Sequence, residues 1–103
     1  MLIILSRPAT AEAHESIFQI AEKLSRKGES IAVLHIQDAS IAVTMKEYCD
    51  ELVKSKIGVY SLKADLEARG LLKKVNKEVK LIDYKQWVDL LMNEHNRIVS
   101  WTG

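Results

Sequence analysis

Cysteine is nearly absent from the chain, since Cys49 is the only one in 103 residues. A single thiol cannot form a disulfide within the chain, which is typical of proteins that work in reducing compartments. The apolar amino terminus, residues 1–5, is too short for a secretory signal and has no basic residues before it. No apolar run approaches the length that spans a membrane. We therefore expect a cytoplasmic protein without a membrane segment.

Glycine is also scarce, with four residues that lie far apart in the sequence. Loops that bind nucleotide phosphates need several glycines within a few residues, so the sequence predicts no such loop. The three histidines are widely separated too, and there is no Cys-x-x-Cys pair to bind zinc. We expect neither a cofactor nor a metal.

The net charge of +1 conceals an uneven distribution along the chain. Residues 1–50 carry five basic and seven acidic side chains, whereas residues 51–103 carry ten basic and seven acidic ones. Lysines at positions 73, 74, 77 and 80 form a basic segment, which can attract RNA or an acidic partner. No aromatic residues alternate with these lysines, as they do on surfaces that bind single strands. We favour a solvated loop and expect no direct RNA binding.

Apolar runs alternate with amphipathic segments along the whole chain. The runs at residues 2–5, 31–36, 57–60, 79–82 and 98–101 are typical of strands that are buried on both faces. Between them, apolar residues recur at helical spacing. The alternation predicts one α/β domain, residues 1–103, in which a five-stranded, mostly parallel sheet lies between two layers of helices.

Several helix ends carry local signals. Gly28 and Gly70 follow basic residues at predicted helix ends, where glycine suits the left-handed conformation. Thr44 and Glu47 offer a capping box, which predicts that the helix after the second strand starts late or is broken.

The fourth helix has the clearest starting signal. Asp83, with Gln86 three residues later, predicts a capping box. The predicted apolar stripe of this helix is Tyr84, Trp87, Val88 and Leu91.

Residues 57–71 run from a strand into a short helix almost without a loop. Lys63, Ala64 and Asp65 are therefore expected at the carboxyl end of the third strand. This edge is where open α/β sheets bind ligands and partners. Asp65 and Arg69 are four residues apart and can pair across one turn. We interpret them either as a surface ion pair or as a polar anchor at a subunit contact.

Cys49 is the only soft nucleophile of the chain. A persulfide carrier needs a partly exposed thiol of low pKa. A cysteine beside Tyr48 on an apolar helix stripe is more often a buried small hydrophobe. His35 and Asp38 form a second candidate, a proton-transfer pair, but a packed histidine and a helix-capping aspartate are the simpler interpretation.

Two tryptophans, Trp87 and Trp101, lie near the carboxyl terminus. Large aromatic side chains pack in cores and also dominate subunit interfaces. Core packing is the default interpretation, and a partner contact is the alternative.

The motifs of the second half of the chain resemble the DsrH/TusB family of sulfur-relay subunits. They are Tyr60-x-Leu62-x-x-Asp65-Leu66-x-Ala68-Arg69-Gly70-Leu71, then Leu81-Ile82-Asp83-Tyr84 with Val88-Asp89-Leu90, and finally Val99-Ser100-Trp101. A weaker similarity lies at Gln37-Asp38. The resemblance covers close to half of the chain and implies a DsrE-like fold.

The resemblance also implies partners and a process. DsrH/TusB proteins assemble with DsrE/TusD-like and DsrF/TusC-like subunits, and the assembly passes persulfide sulfur between carrier proteins. We therefore expect a hetero- or homo-oligomer. The sulfur serves either the 2-thiolation of the tRNA wobble uridine, a step of tRNA processing, or dissimilatory sulfur oxidation.

The resemblance implies no catalytic role for this chain by itself. In DsrE-like subunits the working cysteine lies just after the third strand, where this chain has Leu62, Lys63 and Ala64. We therefore expect a non-catalytic subunit of a sulfurtransferase complex. The alternatives are an independent persulfide carrier that uses Cys49 and a small module that binds RNA or protein.

Overall fold

The structure, a computed structural model, describes residues 1–7, 11–94 and 98–101. The strands are β1 (Leu2–Leu5), β2 (Ala32–His35), β3 (Gly58–Leu62), β4 (Lys80–Ile82) and β5 (Ile98–Trp101). The α-helices are α1 (Ala11–Arg26), α2 (Lys46–Lys54), α3 (Lys63–Ala68) and α4 (Tyr84–Asp89). Between them lie two 3₁₀ helices, Gln37–Thr44 and Leu72–Lys74, and a π-helix, Leu90–Glu94.

The five strands form one sheet in the order β4-β3-β2-β1-β5. All four pairs of neighbouring strands are parallel. The predicted α/β class, with five mostly parallel strands and three layers, is confirmed. Among the described residues, no helix is both long and apolar enough to cross a membrane.

The strand order explains which side of the sheet each helix covers. From β1 to β4 the chain steps along the sheet in one direction, and right-handed crossovers then place α1, α2 and α3 on the same side. The connection from β4 to β5 runs back across the sheet, so α4 lies on the opposite side. We call the side of α1 to α3 the first face and the side of α4 the second face.

Burial follows this division. Helix side chains such as Ile17, Leu52 and Leu66 belong to the larger core cluster, on the first face. The smaller cluster, on the second face, buries Leu2, Ala32, Leu34, Leu62, Ile82 and Leu90. The two clusters make a core on both sides of the sheet, as expected for parallel strands.

The predicted signals at helix ends are largely confirmed. Gly28 and Gly70 have φ of 75° and 66°, and Asp83 and Gln86 form the reciprocal capping box. The helix after β2 is indeed broken, because the 3₁₀ helix Gln37–Thr44 precedes α2. The capping box proposed at Thr44 is wrong, since its hydroxyl donates to the carbonyl of Ile41 at 2.7 Å and Met45 is the N-cap.

The predicted stripe of α4 is only half right. Trp87 and Leu91 pack against the second-face cluster, together with the buried Leu90. Tyr84 and Val88 are instead 58% and 54% exposed. The helix packs on the sheet through Trp87, Leu90 and Leu91, so its buried side is shifted around the helix, away from Tyr84 and Val88.

Candidate functional site

The carboxyl ends of β2 and β3 lie side by side, and each strand continues directly into a helical segment. After β2, the backbone of Gln37 takes a φ of 49°, in the left-handed region, and the 3₁₀ helix begins. After β3, Leu62 is the N-cap of α3, so that Lys63 is already helical. These two sharp turns place residues 37–38 next to α3 at the edge of the sheet.

Asp65 connects the two segments. Its Oδ2 accepts a hydrogen bond from the backbone N–H of Gln37 at 2.7 Å. A bond to a charged acceptor is among the stronger ones in proteins and stabilises a left-handed residue that is not glycine. The Asp65 side chain is 20% exposed, so water competes only in part for this carboxylate.

Arg69 adds a second connection across the same edge. Its Nη2 donates to Oδ1 of Asp38 at 3.3 Å, and its Nη1 donates to the carbonyl of Asp65 at 3.4 Å. Nη1 also lies 3.9 Å from Oδ1 of Asp65, which confirms the predicted pairing across one turn. One guanidinium thus lies between two carboxylates, and we call these three residues the Asp38–Asp65–Arg69 cluster.

The role expected for Asp38 is wrong in one respect. The N-cap of the 3₁₀ helix is Ile36, and no side chain caps it. The Asp38 carboxylate, which is largely exposed, pairs with Arg69 instead. The sequence did hold a signal for this ion pair. Asp38 follows one strand and Arg69 lies at the end of the helix after the next strand, and parallel strands end at the same edge of a sheet.

His35 is a packed residue, as the simpler interpretation held. It is fully buried, and its Nδ1 lies 2.8 Å from the carbonyl of Tyr60. A carbonyl only accepts, so Nδ1 carries the proton. Full burial disfavours a charged imidazole, and in the neutral ring Nε2 accepts from the Tyr48 hydroxyl at 2.6 Å. The geometry describes a neutral imidazole whose two nitrogens bind groups of the core.

The neighbourhood of this histidine is tightly built. The rings of His35 and Tyr48 meet edge to face, with centroids 5.5 Å apart. The Ser61 hydroxyl donates to the carbonyl of His35 at 3.3 Å. Burial raises the pKa of Tyr48 far above its usual value, so its hydroxyl stays protonated and remains a donor to the imidazole.

Cys49 lies in the first-face core and is fully buried. Its thiol donates to the carbonyl of Val43 at 3.5 Å. Burial, with a smaller contribution from the Asp50 carboxylate, raises the pKa of the Cys49 thiol to about 11. Reactive cysteines have the opposite features, namely partial exposure and a lowered pKa.

The segment directly after β3, Lys63-Ala64-Asp65, contains no cysteine. Lys63 and Ala64 are exposed, and the Lys63 ammonium lies 3.9 Å from Glu67 on the same helix. Within the described residues, no group of three histidine, cysteine, aspartate or glutamate side chains could hold a metal ion. At this edge of the sheet the charged side chains of Asp38, Asp65 and Arg69 suit polar recognition.

The remaining candidates are more peripheral. The side chains of Lys73, Lys74, Lys77 and Lys80 are exposed. The ammonium of Lys80 lies 5.8 Å from the centroid of the Tyr60 ring. Strand pairing brings Trp101 level with Leu5, at the same carboxyl edge, but its side chain lies outside the described part of the structure.

Comparison with known families decides the relationship of the chain. The model of the DsrH-like proteins matches residues 8–97. The chain belongs to the DsrH family. The resemblance in the second half is therefore confirmed, and the DsrH match includes most of the first half as well.

Curated relatives agree with the DsrH assignment. Protein TusB of Photorhabdus laumondii is 36% identical over 85 residues, which are 82% of this chain and 86% of that protein. Protein TusB of Pectobacterium parmentieri is 34% identical over 74 residues, or 71% of this chain and 77% of that protein.

Solved structures show the same fold as this DsrH family member. The ychN protein from E. coli matches with a TM-score of 0.73 at 12% identity, covering 97% of both chains. A conserved protein of unknown function from Bacteroides thetaiotaomicron matches with a TM-score of 0.74 at 15% identity, covering 97% of this chain and 93% of that one. At these identities the similarity concerns the fold alone.

Proposed function

We propose that the chain is a non-catalytic subunit of a sulfur-relay complex, assembled with DsrE/TusD-like and DsrF/TusC-like subunits. The observation that carries the proposal is membership of the DsrH family over residues 8–97. In the DsrE-like subunits of such complexes the persulfide cysteine follows the third strand. This chain has Lys63 and Ala64 at that position, so we assign the sulfur chemistry to its partners.

The state of Cys49 supports a role without sulfur transfer. A persulfide must reach an acceptor, which requires a sulfur atom that solvent and partner can contact. The Cys49 sulfur is enclosed by the first-face core and its thiol has a raised pKa. An independent carrier that uses Cys49 is therefore the less favoured alternative.

The Asp38–Asp65–Arg69 cluster is the proposed contact with a relay partner. It lies at the carboxyl edge of a parallel sheet, where such folds bind other molecules. The guanidinium of Arg69 is oriented by acceptors on two segments but is still 33% exposed. A planar, oriented group with donors to spare is favoured at interfaces. We propose Trp101, at the end of β5 on the same edge, as a second contact residue.

We further propose that the relay serves 2-thiolation of the tRNA wobble uridine. The support is that the curated relatives are called Protein TusB. The resemblance to the TusB type implies that the sulfur is delivered to the wobble uridine. A host strain without the gene should lose 2-thiouridine, measured by mass spectrometry of digested tRNA. Normal thiolation together with impaired oxidation of reduced sulfur would instead assign the chain to sulfur oxidation.

Two measurements test the role of this chain within the complex. Co-expression with the DsrE-like and DsrF-like chains of the same host should yield a complex that co-purifies, whereas a chain that ignores both contradicts the proposal. Complementation of the deletion strain with Cys49→Ser should restore thiolation fully. Failure of that variant, while it still folds and assembles, would establish Cys49 as a sulfur carrier.

A further inference from the structure

The strand β4 lies at one end of the sheet and pairs only with β3. In the described part of the chain, the backbone of β4 makes no hydrogen bond besides those with β3. In a parallel pair, alternate residues bond to the neighbouring strand, and the residues between them direct their N–H and C=O groups outward. The outer edge of β4 therefore presents backbone donors and acceptors that an added strand can bind.

A groove of about 580 Å³ lies beside this edge, between β4 and one side of α4. Its apolar lining comes from Tyr60, Leu81, Ile82 and Leu90, and its polar lining from Lys80, Gln86 and Asp89. A volume of this size accommodates a large side chain with room to spare. Because side chains alternate along a strand, a strand added to β4 would direct every second side chain toward this groove.

Exposed lysines determine which charge this edge accepts. Lys80 lies on the strand itself, with its ammonium 5.8 Å from the centroid of the Tyr60 ring, and Lys77 precedes it by three residues. Neither lysine forms an ion pair with another described residue. A second copy of β4 would bring another lysine and no carboxylate, and such like charges protect edges against self-pairing. The charges thus favour an acidic strand from a different protein.

Asp89 limits how much negative charge that strand can carry. Its carboxylate lines the α4 side of the groove and has no ion-pair partner among the residues that the structure describes. A nucleic acid has a phosphate at every residue and would bring some of them close to this carboxylate. A peptide with one acidic residue avoids the repulsion. Its side chain two positions away, level with Ile82, meets the apolar lining instead.

We propose that the outer edge of β4 binds an extended peptide segment of another protein, which adds to the sheet as a sixth strand. An acidic residue of the segment lies level with Lys80, and an apolar residue two positions away lies level with Ile82 and fills the groove. Backbone hydrogen bonds supply the affinity, and the two side chains supply the selectivity. The site uses no residue of the Asp38–Asp65–Arg69 cluster, so it does not depend on the proposed sulfur relay.

Short capped peptides test the site on the full chain. Two fluorescent peptides carry Glu-Thr-Val or Val-Thr-Glu between threonines, for parallel and antiparallel addition. One of them should bind in fluorescence anisotropy at up to millimolar chain and shift the NMR signals of the β4 amides. Lysine in place of its glutamate should weaken binding at least about fivefold, because attraction becomes repulsion. Methylation of its backbone nitrogens should abolish binding, since the hydrogen bonds between strands are lost.

Reversing the charge of Lys80 tests the assigned contact. Lys80→Glu should weaken binding of the glutamate peptide at least about fivefold and should strengthen binding of the lysine peptide. Lys23→Glu is the matched control, because Lys23 is an exposed lysine on α1, at a distance from β4 along the sheet, and forms no ion pair with the other described residues. It changes the net charge equally and should leave binding unaltered. Thermal melts should show that both variants fold.

Four results would overturn the proposal. If neither peptide binds at millimolar concentration, the edge takes no such strand. Binding that survives methylation of the peptide backbone reflects charge alone. Equal effects of Lys80→Glu and Lys23→Glu exclude the contact with Lys80. Tighter binding of an oligouridylate, lost in Lys80→Glu, would assign this surface to nucleic acid instead.

Discussion

Asp65 Oδ2 and the backbone N–H of Gln37 are joined by a 2.7 Å hydrogen bond that spans 28 residues of sequence. The bond fixes the start of α3 against the turn that follows β2. It also satisfies the donor of a residue whose φ of 49° is uncommon for a residue other than glycine. Asp65 is therefore expected to stabilise the fold, besides any contact it makes with a partner.

Replacing Asp65 measures this contribution. Asp65→Ala should lower the free energy of unfolding by about 1–3 kcal/mol, because a bond to a charged group is lost. Glu67→Ala, two residues along the same helix, should cost far less, since its carboxylate is exposed and 3.9 Å from Lys63. Urea denaturation of both variants makes the comparison. Equal losses of stability in the two variants would show that the hydrogen bond to Gln37 does not stabilise the fold measurably.

Tyr48 supplies the donor for a buried imidazole. Tyr48→Phe should destabilise the protein by about 1–3 kcal/mol, because the hydrogen bond between its hydroxyl and the buried Nε2 of His35 is lost. Tyr84→Phe removes the same hydroxyl from an exposed ring and should be close to neutral. Thermal melts compare the two. A neutral Tyr48→Phe would contradict the tautomer assigned to His35.

Cys49 should make stability depend on alkaline pH. The thiol pKa is about 11 in the folded state and lower when unfolded, so the folded state holds the proton over a range where the unfolded state releases it. The contribution is fully present below a pH of about 8.5 and is lost as pH rises toward the folded value, by at most roughly 3 kcal/mol.

Thermal melts of the wild type and of Cys49→Ala, recorded between pH 8 and 10 in steps of about half a pH unit, compare how the stability of each protein changes with pH. The wild type should lose stability faster than the variant as the pH rises. Tyr48 adds a loss of the same sign at still higher pH, in both proteins. Parallel curves would show that the Cys49 thiol ionises as readily in the folded state as in the unfolded one.

Replacing Arg69 tests whether this residue contributes mainly to folding or to assembly. Arg69→Ala should reduce the stability of the isolated chain by about 0.5 kcal/mol, as expected for a partly exposed ion pair. It should weaken the relay complex by about 2 kcal/mol or more if the guanidinium is desolvated at the contact. Arg26→Ala, which breaks a comparable pair with Glu22 on α1, is the control and should leave assembly unchanged.

Sedimentation of the complex and melts of the chain distinguish the outcomes for Arg69. A variant that melts much earlier yet assembles normally would show that Arg69 serves the fold, and the proposed contact would have to be withdrawn.

Two buried serines provide a matched pair. The hydroxyl of Ser40 has no hydrogen-bond partner among the described residues, so Ser40→Ala should be neutral or stabilising. The hydroxyl of Ser61 donates to the carbonyl of His35, so Ser61→Ala should cost about 1 kcal/mol. Chemical denaturation ranks the two. A larger loss of stability for Ser40→Ala than for Ser61→Ala would show that the Ser40 hydroxyl makes a hydrogen bond in solution.

Features that depend on residues close together in the sequence could be predicted from the sequence. The Asp83–Gln86 capping box and the conformations of Gly28 and Gly70 depend on neighbours within a turn, and all were predicted correctly. The fold class followed from apolar runs that alternate with amphipathic segments, because each strand or helix shows its own pattern of apolar residues.

The candidate site depended on contacts that no local pattern records. The pairing of Asp38 with Arg69 requires that β2 and β3 be neighbours, and the sequence alone left the strand order open. The flank of α4 that faces the sheet depends on how one helix lies across several strands. For the same reason Val88 was expected in the core and is exposed.

The pairing of β1 with β5 has a consequence for synthesis on the ribosome. Leu2 is opposite Ala32 on one side and opposite Ile98 on the other, a partner that is synthesised much later than Ala32. Until residue 98 emerges, β1 is an open edge with the apolar sequence Leu-Ile-Ile-Leu, which is the kind of edge that recruits strands of other chains. A nascent chain is thus exposed to aggregation until β5 has been synthesised, and a premature stop before β5 would make that exposure permanent.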